Sequence, residues 1–215
     1  MYQAAKFKLI CAVIAVLIAA CLSPTTLKAN EQVKDGEQKT TDLITMIDIG
    51  NYDAALRELN KYGKDLSQEQ VYIKARALYG LNRIEEAQSI IAEALKVNPK
   101  EPRYYAILGL ISGKGGKMKE SILFFTKAIA IDKNYASAFN NRGIAYAALQ
   151  KKKEAINDFT ESIRIDPKYA DAYRNRGIIL QGEKKLEAAC EDWRAAAALG
   201  QDDPRLWVAN ECTKR

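Results

Sequence analysis

The chain has 215 residues, a formal net charge of +6, no histidine, and ordinary globular proportions of apolar (48%) and charged (28%) residues. The missing histidine removes the commonest general base and the commonest metal ligand together. Paired-cysteine metal spacings, a nucleophile elbow and a glycine-rich strand-to-helix loop are missing as well, so the composition points away from an enzyme, a cofactor, a metal and a small-molecule substrate. Lysine and arginine alternate with acids along helix faces, which reads as a solvated surface and not as a nucleic-acid stripe.

Residues 1–29 read as an export signal. Lys6 and Lys8 precede an apolar run, Leu9 to Leu22, and small and polar residues follow it. A membrane-spanning helix needs about twenty apolar residues, more than this run supplies. The flanking lysines hold the N-terminus in the cytoplasm and send the rest across the membrane. Ile18-Ala19-Ala20-Cys21 resembles the lipobox of bacterial lipoproteins, which implies lipidation of Cys21 after cleavage before it. Several acyl chains on Cys21 anchor stably where one chain is marginal. Leu22 is not the aspartate that retains such proteins at the inner membrane in enteric bacteria, so the resemblance implies an outer-membrane lipoprotein facing the periplasm. Ordinary cleavage after Ala29, or an uncleaved anchor, also fits these residues. Residues 30–40 are polar and read as a tether.

From residue 41 a period of 34 takes over. In Ala136 to Tyr169, Gly143 and Tyr146 share one apolar helix face, and Ala155, Phe159 and Ser162 share a face of a second helix. Lys151-Lys152-Lys153 marks the turn between them, and Asp166-Pro167 ends the second helix. One period on, Tyr173, Gly177, Leu180, Ala189, Trp193 and Ala196 recur; one period back, Tyr105, Leu108, Gly109, Ser121, Phe125 and Ala128 do. The copy from Gln68 keeps Ala75, Leu78, Ala87, Ile91, Ala94 and Pro99 without the glycine, and a degenerate copy near 41–67 keeps Gly50-Asn51-Tyr52 and Ala55-Leu56. SGKGGK, with Gly113 and Gly116, falls between two helical patterns and lacks the phosphate-loop spacing, so it reads as a turn. A helix pair with one apolar stripe per helix cannot bury those stripes alone and must stack on a neighbour.

These residues resemble the tetratricopeptide repeat family over roughly Thr40 to Gly200, and Asn141-Arg142-Gly143 and Asn175-Arg176-Gly177 match a common bacterial form of the repeat. The resemblance implies an all-α, right-handed superhelical solenoid of antiparallel helix pairs, with units at about 41–67, 68–101, 102–135, 136–169 and 170–200. Residues 201–215 provide a capping helix, in which Asp203-Pro204 reads as an N-cap followed by proline at the first helical position. The first helix of each unit lines a concave groove in this family. Its groove places carry over to Tyr72, Arg76, Tyr79, Arg103 and Ala106, then Asn140, Asn141 and Ile144, then Arg174, Asn175, Ile178 and Gln181. Asparagine suits an extended peptide backbone and arginine a carboxylate, while tyrosine adds apolar area with a polar tip. Asn141 and Asn175 bridging within the scaffold, and Arg174 solvating a face, fit the same residues. The clamp by which co-chaperones of this family grip acidic chaperone tails is broken here, because Ala106 and Leu110 stand at two of its places.

Cys190 lies ten residues before Gly200 and Cys212 eight after Pro204, so antiparallel helices set them back by about 15 and 12 Å from the shared turn at 1.5 Å per residue. They can face each other, and export permits a disulfide; two buried thiols are the other outcome. The functional expectation is a non-catalytic scaffold or assembly factor of the bacterial envelope, attached to the membrane through its N-terminus and binding a protein or peptide in its groove. A membrane-anchored co-chaperone or receptor on the cytosolic or organellar side is the alternative.

Overall fold

The computed structural model describes residues 38–63 and 65–212. The export signal, the lipidation of Cys21 and the tether before residue 38 lie outside the described residues. Those described are helical, with no strand among them: α1 (38–48), α2 (Tyr52–Asn60), α3 (Gln68–Gly80), α4 (Ile84–Val97), α5 (Pro102–Lys114), α6 (Met118–Ile131), α7 (Ala136–Ala148), α8 (Lys152–Ile165), α9 (Ala170–Gly182), α10 (Leu186–Ala198) and α11 (Asp202–Glu211). Residues 38–40 belong to α1, where Gln38 Nε2 donates to Asp42 Oδ1 at 2.9 Å, so the helical part begins earlier than the tether reading placed it.

Odd-numbered helices up to α9 are the first of each pair and even-numbered ones the second. Each helix packs on the next in the chain, and α3, α5, α7 and α9 also touch in succession, which makes a right-handed solenoid of neighbour contacts. Every turn inside a pair carries one left-handed residue: Gly50 (φ 78°), Asn82 (61°), Gly116 (75°), Gln150 (60°) and Lys184 (61°). SGKGGK is such a turn, with Gly115 as the C-cap of α5.

The seam within each pair explains the repeated glycine. A Cβ at Gly143 would stand 2.7 Å from Phe159 Cε1, and one at Gly109 would stand 2.8 Å from Phe125 Cζ. At Gly177 it would collide with the Trp193 indole. In the pair α3/α4 the two positions hold Ala75 and Ile91, both fully buried, so a larger residue on one helix meets a smaller one on the other. Gly143→Ala is expected to destabilise by about 1–2 kcal/mol, because overlap with Phe159 outweighs the roughly 1 kcal/mol by which alanine is favoured in a helix interior. Combining it with Phe159→Ile, the pair already used by α3/α4, is expected to recover most of that loss in urea denaturation.

A second repeated device is ionic. Arg142 donates from Nε and Nη2 to both oxygens of Asp158 at 2.8 Å, and from Nη1 to Thr126 Oγ1 at 3.1 Å. Arg176 repeats this with Asp192 at 2.8 and 2.7 Å and Thr160 at 3.0 Å. Each arginine thus ties its own pair together and fastens it to the preceding one.

At the far end α11 closes the stack. Its N-cap is Gln201, which places Pro204 at the third helical position instead of the first; the amides of a first turn have no intrahelical acceptor, so proline costs nothing there. Gly200 (φ 99°) ends α10. Trp193 is buried under α11, 5.1 Å from Trp207 between ring centres. The Sγ atoms of Cys190 and Cys212 are 2.02 Å apart, a disulfide between α10 and α11.

Candidate functional site: a concave groove

The first helices of successive pairs place several of the predicted groove residues around one concavity. Tyr72, Arg76 and Tyr79 of α3, Ala106 of α5 and Asn141 of α7 line a pocket of about 350 Å³. Tyr79, Asn141 and Leu110 also border an adjoining pocket of about 240 Å³ that takes in Ile144. The two therefore form one continuous depression along the first half of the solenoid. Tyr52, Leu110 and Tyr135 also line the first pocket, and the sequence reading missed Tyr52 and Tyr135. A separate concavity of about 530 Å³ lies at the N-terminal end between α1 and α2.

Tyr135 stands at the N-cap of α7, outside the helical groove positions. Burial first, then the neighbouring Tyr72, pushes its hydroxyl pKa far above the ordinary tyrosine value. Burial also raises that of Tyr79, with Tyr52 adding to it. Tyr79 and Tyr135 consequently present uncharged hydroxyls to the groove. Tyr169, one period after Tyr135, is pushed up from 10.0 to about 12 by burial and then by Asp171 and Asp166. A pKa raised in the folded state means that this stability is complete below pH 10 and is lost as pH rises towards 12. Tyr169→Phe is expected to flatten that part of the stability curve, measured as urea midpoints on either side of the range.

Several predicted residues face the groove but are occupied by their own chain. Arg76 Nη2 donates to Asp48 at 3.2 Å and lies 5.7 Å from the Tyr72 ring. Arg103 pairs with Glu101 at 2.7 Å and with Glu69, and its guanidinium sits 4.8 Å over the same ring. The Arg103 side chain in turn holds the Glu101 carboxyl below the usual range. Asn140 is buried and accepts from Asn175 Nδ2 at 3.0 Å, so these two amides join adjacent units. Arg174 reaches only 3.8 Å from Asp171, and its Nε is buried without a hydrogen-bond partner. Gln181 is exposed near the end of α9, and Ile144 (45% exposed) and Ile178 (40%) present apolar surface. Among the described residues no cluster of histidine, cysteine or carboxylate side chains is arranged to hold a metal, and no helix is long and apolar enough to cross a membrane.

Stacked helix pairs with a concave, aromatic inner face and a closing helix define an α-solenoid whose first helices present a binding surface. Residues 72–136 and 136–169 each match a family model described as tetratricopeptide repeat. Residues 72–169 are tetratricopeptide repeats. A search of the curated proteins found no match. Among solved structures the chain is similar to TTC0263, a thermophilic tetratricopeptide-repeat protein of Thermus thermophilus, with a TM-score of 0.69 and 17% identity over 81% of this chain and 97% of that one. A crystal structure of MamA gives a TM-score of 0.58 and 20% identity over 72% and 92% of the two chains. MamA 41-end from Desulfovibrio magneticus RS-1 gives 0.57 and 19% over 76% and 93%. At these identities the likeness concerns the fold.

Proposed function

We propose that this protein is a non-catalytic interaction scaffold or assembly factor of the bacterial cell envelope, attached to the membrane through its N-terminus and holding a peptide or protein segment in its concave groove. The observation that carries the reading is the continuous depression shared by Tyr79, Leu110 and Asn141. Its lining joins tyrosine, leucine and isoleucine side chains with a few polar groups such as Asn141, a surface on which a partner segment buries apolar side chains with little entropic cost to the receptor. The groove arginines at 76 and 103 are neutralised internally, which argues against recognition of a strongly acidic tail.

Envelope attachment rests on the N-terminal sequence, with Cys21 as the lipidated residue. The intact mass of the protein recovered from membranes, beside that of Cys21→Ser, tests it: acyl mass on a chain starting at Cys21, absent from the variant, supports the anchor, and a chain starting near Asn30 replaces it with a soluble exported form. The groove is tested by a photo-crosslinking residue at position 79 in cells, alone and with Leu110→Glu. A crosslinked partner that disappears with Leu110→Glu supports the site. A partner captured equally by both moves the interaction elsewhere.

A further inference from the structure

Over the last three pairs the two rims of the solenoid differ in charge. Turns within the last three pairs, at 113–120, 147–154 and 181–188, hold eight lysines and four glutamates. Turns between consecutive pairs, at 131–135, 165–169 and 199–203, hold two lysines and four aspartates on the opposite rim, and Arg164 and Arg205 beside them leave that rim close to neutral. On the basic rim Lys117, Lys151 and Lys185 recur every 34 residues as the N-caps of α6, α8 and α10, and none of those caps carries a side-chain hydrogen bond. A cation is the wrong residue for that place by local stability: it faces the positive end of the helix dipole, where serine, threonine, aspartate or asparagine would accept from the first free amides. The second helices of three successive pairs nevertheless begin this way. Lys114, Lys153 and Lys184 stand beside them, exposed, and among the described residues Lys152 is the one lysine on this rim in an ion pair, with Glu183 at 2.7 Å.

We infer that this lysine rim is a docking edge for an anionic lipid bilayer, which holds the solenoid along the membrane surface. The exposed lysines of three consecutive turns add in one direction, whereas the helix dipoles offset one another, because α5, α7 and α9 end on the rim where α6, α8 and α10 begin. The charges are spread one turn after another along an edge, with Lys184 and Lys185 bordering one shallow pocket, Lys114 another and the remaining lysines carrying the row past both, an arrangement that suits a plane of headgroups more than a single anionic ligand. No exposed aromatic stands at these turns to stack on a base, which separates the rim from a single-stranded nucleic-acid groove. Lysine also supplies a long apolar stem that lets its charge reach the headgroup layer. The choice of a bilayer as occupant rests on the proposed membrane attachment; the charge asymmetry does not.

The test is sedimentation of the full chain with vesicles of phosphatidylcholine, and with vesicles of phosphatidylcholine and phosphatidylglycerol in equal parts, at low and high salt. Binding through the N-terminus appears equally on both vesicles. The rim is expected to add binding to the anionic vesicles only, and salt should remove it. Lys117→Ser, Lys151→Ser and Lys185→Ser together should weaken that added binding roughly 100-fold while leaving phosphatidylcholine binding unchanged. Because serine is a better N-cap, the same variant should melt at a higher temperature, so its lost binding cannot be attributed to unfolding. If it fails to fold, Lys114→Gln, Lys153→Gln and Lys184→Gln reduce the rim charge away from the caps. Undiminished anionic binding in a folded variant overturns the inference, as does tighter, rim-dependent binding to a DNA duplex than to the anionic vesicles. Loss of phosphatidylcholine binding alone would count against the anchor and leave the rim standing.

Discussion

Asp158→Ala is expected to lower the unfolding free energy by about 3 kcal/mol, the largest effect of any single charge removal on the solenoid. The Arg142 and Asp158 side chains retain 16% and 8% of their accessibility, and the carboxylate takes two of the guanidinium's hydrogen bonds. Removing it strands a cation between two helices, with the Thr126 hydroxyl as its remaining polar partner. The pair itself is not the source of stability, since desolvating both ions offsets most of their attraction. The pair α5/α6 makes this concrete: one period earlier, Leu108 and Phe124 occupy the places of Arg142 and Asp158. Arg142→Leu with Asp158→Phe should therefore restore much of what Asp158→Ala loses. Urea unfolding followed by circular dichroism reads both variants, and a double variant as weak as the single one would show that the pair acts through something other than a buried unpaired charge.

Reducing the Cys190–Cys212 bridge should cost the closing helix about 3 kcal/mol, the chain-entropy value for a sequence separation of 22. The chain's two tryptophans, Trp193 and Trp207, both sit under this bridge, so tryptophan emission reports on the closing end and circular dichroism on the stack. In the oxidised protein the two signals should change together with urea. After reduction, or in Cys212→Ser, emission should shift at lower urea than ellipticity, as α11 leaves and Trp193 meets water. Coincident transitions in both forms would mean that packing around Leu180, Leu186 and Val208 holds α11 without the bridge.

The later pairs were legible because their signals are steric. Glycine facing an aromatic ring at a fixed spacing follows from helices that must approach closely, and the 34-residue recurrence of Gly109, Gly143 and Gly177 exposes it. The first pair was faint for a physical reason: Gly50 precedes Asn82 by 32 residues, two short of the period, so superposing copies at 34 misaligns it. The groove was legible only in part. The groove places implied by the family resemblance located Tyr72, Tyr79 and Asn141, but Tyr135 enters from a cap and Tyr52 from the preceding pair, contacts that places along the first helices do not reveal. Arginine and asparagine at groove positions announce hydrogen-bonding capacity without saying who uses it, and Arg103 and Asn140 spend theirs within the chain. Arg142 and Asp158 looked like solvated charges; their recurrence as Arg176 and Asp192 was the available sign of a built pair.

That recurrence has a consequence for how the length of the chain can change. Thr126 and Thr160 occupy equivalent places on α6 and α8, and Arg142 and Arg176 equivalent places on α7 and α9. Tyr135 and Tyr169 are both N-caps followed by alanine. Excising residues 136–169 would join Tyr135 to Ala170 in an unchanged local sequence and bring Arg176 onto Thr126, with the closing helix and its bridge carried along intact. The joint between these units is interchangeable, so a deletion or duplication of one whole period alters the reach of the groove and leaves the rules that hold it together unchanged.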